Sequence, residues 1–156
     1  MRAAILRHGM NAWPPFLFSG IHITALADDY RHARVELRRR WYNRNYVGTH
    51  FGGSLFAMTD PFWMLLTMHA LGRDYYVWDQ AADIRFLKPG RGTVHARFDL
   101  GDDVLGTMRE ATADGGKYLH WFENDIVDGE GDVVATVRKQ VYVRRKPDRR
   151  NGSPGA

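Results

Sequence analysis

THFGGSLFAMTDPFWMLLTMHALG, residues 49–72, decides how the rest of the chain must fold. Leu55, Phe56, Met58, Phe62, Trp63, Leu65 and Leu66 leave little room for a polar face. A helix apolar nearly all round is a buried helix. The run predicts one over 53–71, opened by Gly52-Gly53 and interrupted by Asp60-Pro61. Two readings of the interruption are open. Asp followed by Pro marks the start of a helix, so Asp60 is a cap and a second helix begins at Pro61. Alternatively one helix continues, kinked at Pro61 for the loss of a single N–H bond. Asp60 is then a buried carboxylate, which is expensive unless paired or functional. The apolar pattern on both sides favours the kinked helix. Asp60, Pro61 and His69 break the run too often for a membrane span, so it reads as core.

Outward from this helix the pattern is β. Ile21, Ile23 and Ala25 alternate with polar neighbours, Asp28-Asp29 turns the chain, and Ala33, Val35 and Leu37 alternate again. Beyond the helix, residues 75–87 form a long strand, KPGRG (88–92) a turn and TVHARFDL (93–100) a strand. Residues 102–113 read as a short surface helix capped by Asp102 or Asp103. KYLHWFENDIV, DGEG and DVVATVRKQVYVRR close the chain as a hairpin. A short helical turn starts near Pro14-Pro15. A single sheet must bury one face, and the helix at 53–71 is the only strongly apolar partner. The expected class is α+β: a curved antiparallel sheet of about six strands around one long central helix, with a short N-terminal helix and an inserted surface helix. One domain is expected over 1–146, with a charged, Pro- and Gly-containing tail at 147–156.

Composition narrows the function classes. The 156 residues are 44% hydrophobic and 26% charged, with no cysteine. That removes disulfides, thiolate metal sites and a cysteine nucleophile, and suits a cytoplasmic protein. Net charge is +4, which fits nucleic acid or an anionic small ligand such as coenzyme A. No nucleic-acid module accompanies the charge, and none of the histidines shows metal-ligand spacing. No metal, no membrane and no nucleic acid are therefore expected.

The motif spacing resembles that of phenylacetyl-CoA-type thioesterases of the hot-dog fold. In those proteins an Asn lies six residues before a His-Gly-Gly turn, and an Asp lies seven past the second glycine. Here Asn45, Phe51-Gly52-Gly53 and Asp60 stand at those spacings. DIRFLKPGRGTVHARFDL resembles the strand–turn–strand that follows, and DPFWM with the inserted helix is similar to a poorly characterised bacterial branch. Phe51 occupies the family's His position, and His50 stands one place earlier. Either His50 takes a related role from a shifted loop, or the His contribution is absent.

The resemblance implies an acyl-CoA thioesterase with no cofactor beyond the coenzyme A of its substrate. Asp60 is the candidate general base toward water, or a nucleophile. Gly52 and Gly53 would offer free N–H groups to the thioester carbonyl, although a tight turn alone also explains them. Asn45 either orients the water or is a turn residue. Thr49 and His50 are more simply loop residues capping the helix, with Thr49 kept as a substrate-binding candidate and His50 as a catalytic one. Phe51, Trp63 and Trp78 are candidates for an acyl pocket, and Lys88 and Arg91 for the coenzyme A phosphates. Core packing and solvated charge are the plain alternatives. Relatives pair two sheets edge to edge, which implies a homodimer or a dimer of dimers with Asp60 facing Asn45 and Gly52 of the partner. The competing reading is a non-catalytic acyl-CoA-binding protein on the same fold.

Overall fold

The structure, a computed structural model, describes residues 2–147. The expected tail, Pro147 apart, lies outside the described residues. Two helices open the chain, α1 (Ala3–Ala12) and α2 (Pro14–Ser19). Pro14 and Pro15 start α2 because its first positions need no N–H. The longer α1 was not anticipated. It packs on β1 through a local pair of bonds: Asn11 Oδ1 accepts from Ile23 N at 2.7 Å, and Asn11 Nδ2 donates to Ile23 O at 3.1 Å.

Strands β1 (Ile21–Leu26) and β2 (His32–Leu37) form the expected hairpin. Helices α3 (Gly52–Ala57) and α4 (Phe62–Leu71) follow, then β3 (Tyr75–Phe86) and β4 (Val94–Asp99). Helix α5 (Asp102–Ala111) precedes β5 (Lys117–Val127) and β6 (Val133–Arg145). Gly101, not Asp102 or Asp103, is the N-cap of α5; the two acids sit in its first turn, where they suit the dipole. All strand pairs are antiparallel, in the order β1-β2-β4-β5-β6-β3. β3 is thus an edge strand, twelve residues long.

The helical layer lies on the face of the sheet that carries Val35, Phe98, Phe122, Val137 and Val141, all buried. Phe62 is fully buried and stacks on Phe98 at 4.8 Å, while Trp63 stacks on Phe122 at 4.2 Å. No helix among the described residues is long and apolar enough to cross a membrane.

The central helix is interrupted where the Asp-Pro pair falls. Residues 58–61 form a turn with tightened bonds, Thr59 N to Phe56 O at 3.0 Å and Asp60 N to Ala57 O at 3.3 Å. Met58 and Pro61 keep right-handed helical angles, so the chain bends without leaving the core. Thr59, 1% exposed, donates its hydroxyl to Phe56 O at 2.8 Å, so this buried polar group is satisfied within the junction.

Candidate functional site

At the junction Asp60 behaves as neither sequence reading expects. It does not cap α4, whose N-cap position is Pro61 without a side-chain bond. Nor is it buried: its side chain is 54% exposed. Its Oδ1 accepts from Lys139 Nζ at 2.6 Å. The buried charge is Lys139, 2% exposed on the helix-facing side of β6. Its ammonium also donates to Asp79 Oδ2 at 3.1 Å and lies 5.6 Å from the Phe56 ring. A buried ammonium without counter-ions would cost several kcal/mol, and two carboxylates meet that demand.

Asp79 comes from β3, beside a bulge in the β3–β6 register between Asp79 and Ala81. Burial raises its carboxyl above the usual carboxylate range; the Lys139 ammonium works against that but does not cancel it. Asp79 Oδ1 is buried with no partner.

The start of α3 is built differently. Asn45 Nδ2 donates to Thr49 Oγ1 at 2.8 Å and to His50 O at 3.1 Å, and its Oδ1 accepts from Thr49 N at 2.9 Å. Both amide hydrogens are used, so in this chain Asn45 staples the loop and has no donor left for a thioester oxygen. Thr49 is part of the same staple. His50, 3% exposed, bonds Gly92 O through Nε2 at 2.8 Å, and its N–H bonds Gly90 O at 3.1 Å. It pins the β3–β4 turn onto the loop. Burial lowers its pKa, which keeps the ring neutral, and its Nδ1 has no partner.

Gly52 and Gly53 open α3 as expected, with Phe51 at the N-cap. A Cβ on Gly52 would come within 2.9 Å of the Phe86 ring, and one on Gly53 within 2.4 Å of the Phe51 ring. The glycines leave room for these two rings, a packing role that stands beside any role in binding. Phe51 and Phe86 are 57% and 58% exposed, so the rings flank the turn from the solvent side.

The pocket candidates separate. Trp63 is 5% exposed and its Nε1 donates to Asn124 Oδ1 at 2.9 Å. It reaches the floor of a cleft of about 850 Å³ that opens where β4 and β5 part. Those strands pair only through His95–Val127 and Ala96–Ile126. The cleft's rim is charged, with Arg34, Arg97, Asp99 and Glu123 among its residues. Trp78 stacks on Tyr142 at 4.3 Å on the opposite face of the sheet. Trp63 and Trp78 of one chain cannot line one pocket. Lys88 is held by Asp128 and Asp132, each at 2.6 Å, so a coenzyme A phosphate would have to compete with two carboxylates. Arg91 is exposed on the same turn. Among the described residues no cluster of three His, Asp or Glu is placed to hold a metal.

Lys139 and Asp79 are the members of the Asp60 cluster that motif reading misses. The signal was present in the β period: Lys139 is in phase with Val137, Val141 and Val143, and Asp79 with Tyr75 and Val77. A lysine in the buried phase of a valine strand requires an internal counter-ion.

Among solved structures, a Pseudomonas aeruginosa protein of unknown function described as a probable thioesterase is similar over 93% of this chain and 97% of its own, at 19% identity and a TM-score of 0.83. A Haemophilus influenzae thioesterase is similar over 96% and 94%, at 16% identity and 0.67. The E. coli PaaI protein of the phenylacetic acid degradation operon is similar over 93% and 94%, at 19% identity and 0.62. These likenesses show the fold, which is the hot-dog fold. No curated protein matches the sequence. Residues 2–143 match the model of a domain of unknown function, DUF4442, and the chain belongs to that family.

Proposed function

We propose that this protein is an acyl-CoA thioesterase acting on a small to medium acyl or aryl group. The observation that carries the reading is Asp60: a carboxylate at the helix junction with Oδ1 held and Oδ2 free of any hydrogen bond within the described residues. Oδ2 takes a proton from water as the water oxygen attacks the thioester carbon. The N–H groups at Gly52 and Gly53 meet the carbonyl oxygen as it gains charge. The carbon–sulfur bond then breaks, the thiolate of coenzyme A takes the proton held on Asp60, and the acid leaves. Direct attack by Oδ2, giving a mixed anhydride that water then opens, is the variant mechanism. The thioesterase descriptions of two similar structures support the same class of reaction.

The free edge of β3 supports a homodimer or a dimer of dimers, and the absence of cysteine suits a cytoplasmic protein. An unpaired twelve-residue edge is a template for a second chain. Exposed Tyr76, Trp78, Phe86 and Leu87 sit on or beside it. Pairing of two such edges would bring the partner's Gly52-Gly53 turn toward Asp60, so that the site is completed between chains.

A non-catalytic acyl-CoA-binding protein is the second reading, favoured by the committed amide of Asn45 and by Phe51 at the family's His position. Thiol release over a panel of acyl-CoAs separates the two. Wild type should turn over, and Asp60→Asn and Asp60→Ala should lose about 100-fold or more in kcat. Turnover surviving both substitutions removes Asp60 from the mechanism. Calorimetric binding without turnover across the panel establishes the second reading instead.

A further inference from the structure

The cluster at the junction contains more than the proposed base. Lys139 is the only lysine or arginine among the described buried residues, and it is 2% exposed. It sits on β6, which is hydrogen-bonded on both sides, to β5 and to β3. Phe122 is its cross-strand neighbour on β5 and Ala82 on β3. The backbone that carries the ammonium is therefore among the best fixed in the sheet. Asp60, by contrast, stands on a turn between two helices, with half its side chain in solvent. Left alone, such a side chain samples several rotamers.

Resting on the thioesterase reading of Asp60, we infer that Lys139 is the positioning residue of the site: its ammonium clamps Oδ1 of Asp60 so that Oδ2 is presented to water in one orientation. The ammonium is too deeply buried to touch a thioester, so any effect on the reaction passes through Asp60. Its other bond, to Asp79 Oδ2 at 3.1 Å, keeps the charge in place beneath the junction. The roles of the two carboxylates follow from their exposure. Asp79 is the inner counter-ion, with one oxygen buried and unpartnered. Asp60 is the outer one, open on the side where a substrate arrives.

The clamp fixes geometry, and geometry is where a general base gains its rate. A misplacement of about 1 Å can cost on the order of 100-fold. Ground-state binding of the substrate does not involve Lys139, so the loss belongs in kcat and not in KM.

The test is the pair substitution Lys139→Met with Asp79→Asn, which removes the buried charge and its inner counter-ion together and leaves a neutral interior. Lys139→Met alone strands Asp79 and is the harsher variant; Lys139→Arg keeps a cation at the position. We expect the pair variant to lose 10- to 100-fold in kcat with KM within about threefold of wild type, and Lys139→Arg to recover part of the loss. Added to Asp60→Asn, the pair substitution should cost nothing further, because the clamp has no base left to orient. A pair variant that is folded and keeps kcat within about twofold of wild type overturns the inference, as does a full additional loss in the Asp60→Asn background.

A second readout needs no substrate. The χ1 angle of Asp60, followed by three-bond couplings to its carboxyl carbon, should report one rotamer in wild type and an average in the pair variant. An Asp60 equally ordered in both overturns the clamp, whatever the enzyme assay gives. Wild type without turnover on any thioester sinks the thioesterase reading, and the couplings then decide the clamp by themselves.

Discussion

The start of α3 and the junction before α4 belong to one helical layer, yet they are finished in opposite ways. At the start of α3 the side chains of Asn45, Thr49 and His50 are all engaged locally. Asn45 is saturated by Thr49 and His50, and His50 is tied to Gly92. What remains open there is backbone at Gly52 and Gly53, flanked by the exposed rings of Phe51 and Phe86. At the junction the backbone is closed by tightened turns, and a side chain remains open. Asp60 comes from the turn, Lys139 and Asp79 from two paired strands. One end offers amide donors and the other a carboxylate, which are the two parts that thioester hydrolysis needs. A loop can supply donors cheaply because its own side chains hold it. A buried charge needs partners from distant parts of the chain, so it has to be built on the sheet.

The difference can be broken at its packing first. Phe62, fully buried against Phe98, anchors the junction side, and Phe62→Ala should cost about 3–5 kcal/mol in urea unfolding. Phe51, 57% exposed, should cost about 0.5 kcal/mol or less when truncated. Similar losses at the two positions would mean that Phe51 is covered in solution, which points to a partner chain over α3.

Trp63→Phe is the next largest. It keeps most of the stack on Phe122 but removes the donor to Asn124 Oδ1, and Asn124 Nδ2 already lacks a partner. A buried amide without partners should cost about 1–3 kcal/mol. Adding Asn124→Leu should recover much of that loss, because both polar groups are then gone. A double variant no better than the single would show that lost packing, not the orphaned amide, sets the cost.

Asn45→Ala tests the loop end directly. Loss of the staple should cost about 1 kcal/mol and speed amide hydrogen exchange over 45–50. If Asn45 instead touches the reacting water, kcat falls 100-fold or more while the melting temperature holds. The two outcomes separate a structural Asn from a catalytic one.

Periodicity made most of the fold legible. The hairpin of β1 and β2, the long β3, the inserted α5 and the buried helical layer all follow from residues that alternate, or fail to alternate, in hydrophobicity. α1 was hidden because its apolar residues carry no cap signal: Arg2 precedes it and makes no side-chain bond to it. The apolar pattern misjudged the exposure of Asp60, since it says nothing of which way a turn residue points. Lys139 lies 79 residues from Asp60 in the chain, and only the β6 register brings it there. Asn45 shows the reverse case, where local turn chemistry explained the residue and the motif suggested more.

The smallest effect concerns the turn that faces the loop end, and it is read as pH dependence. Lys88 bridges Asp128 and Asp132 across the strand ends. The Lys88 hydrogen bond, helped by the Asp132 and Glu130 N–H groups, holds the Asp128 carboxyl below its usual range. Bonds from Asp128 and Asp132 raise the Lys88 ammonium above its own. For the carboxylate, a lowered native value means stability present above the unfolded value of about 3.9 and lost as pH falls through the native one. For the ammonium, a raised native value means stability present below about 10.4 and lost as pH rises through the native one. The stability gap between wild type and Lys88→Ala should therefore be flat from about pH 4 to pH 10 and close at both ends. It should also shrink in high salt, because the bridge is at the surface. Melting temperatures across that range check it. A gap that instead closes around pH 6–7 would implicate a histidine and not the carboxylate–ammonium bridge.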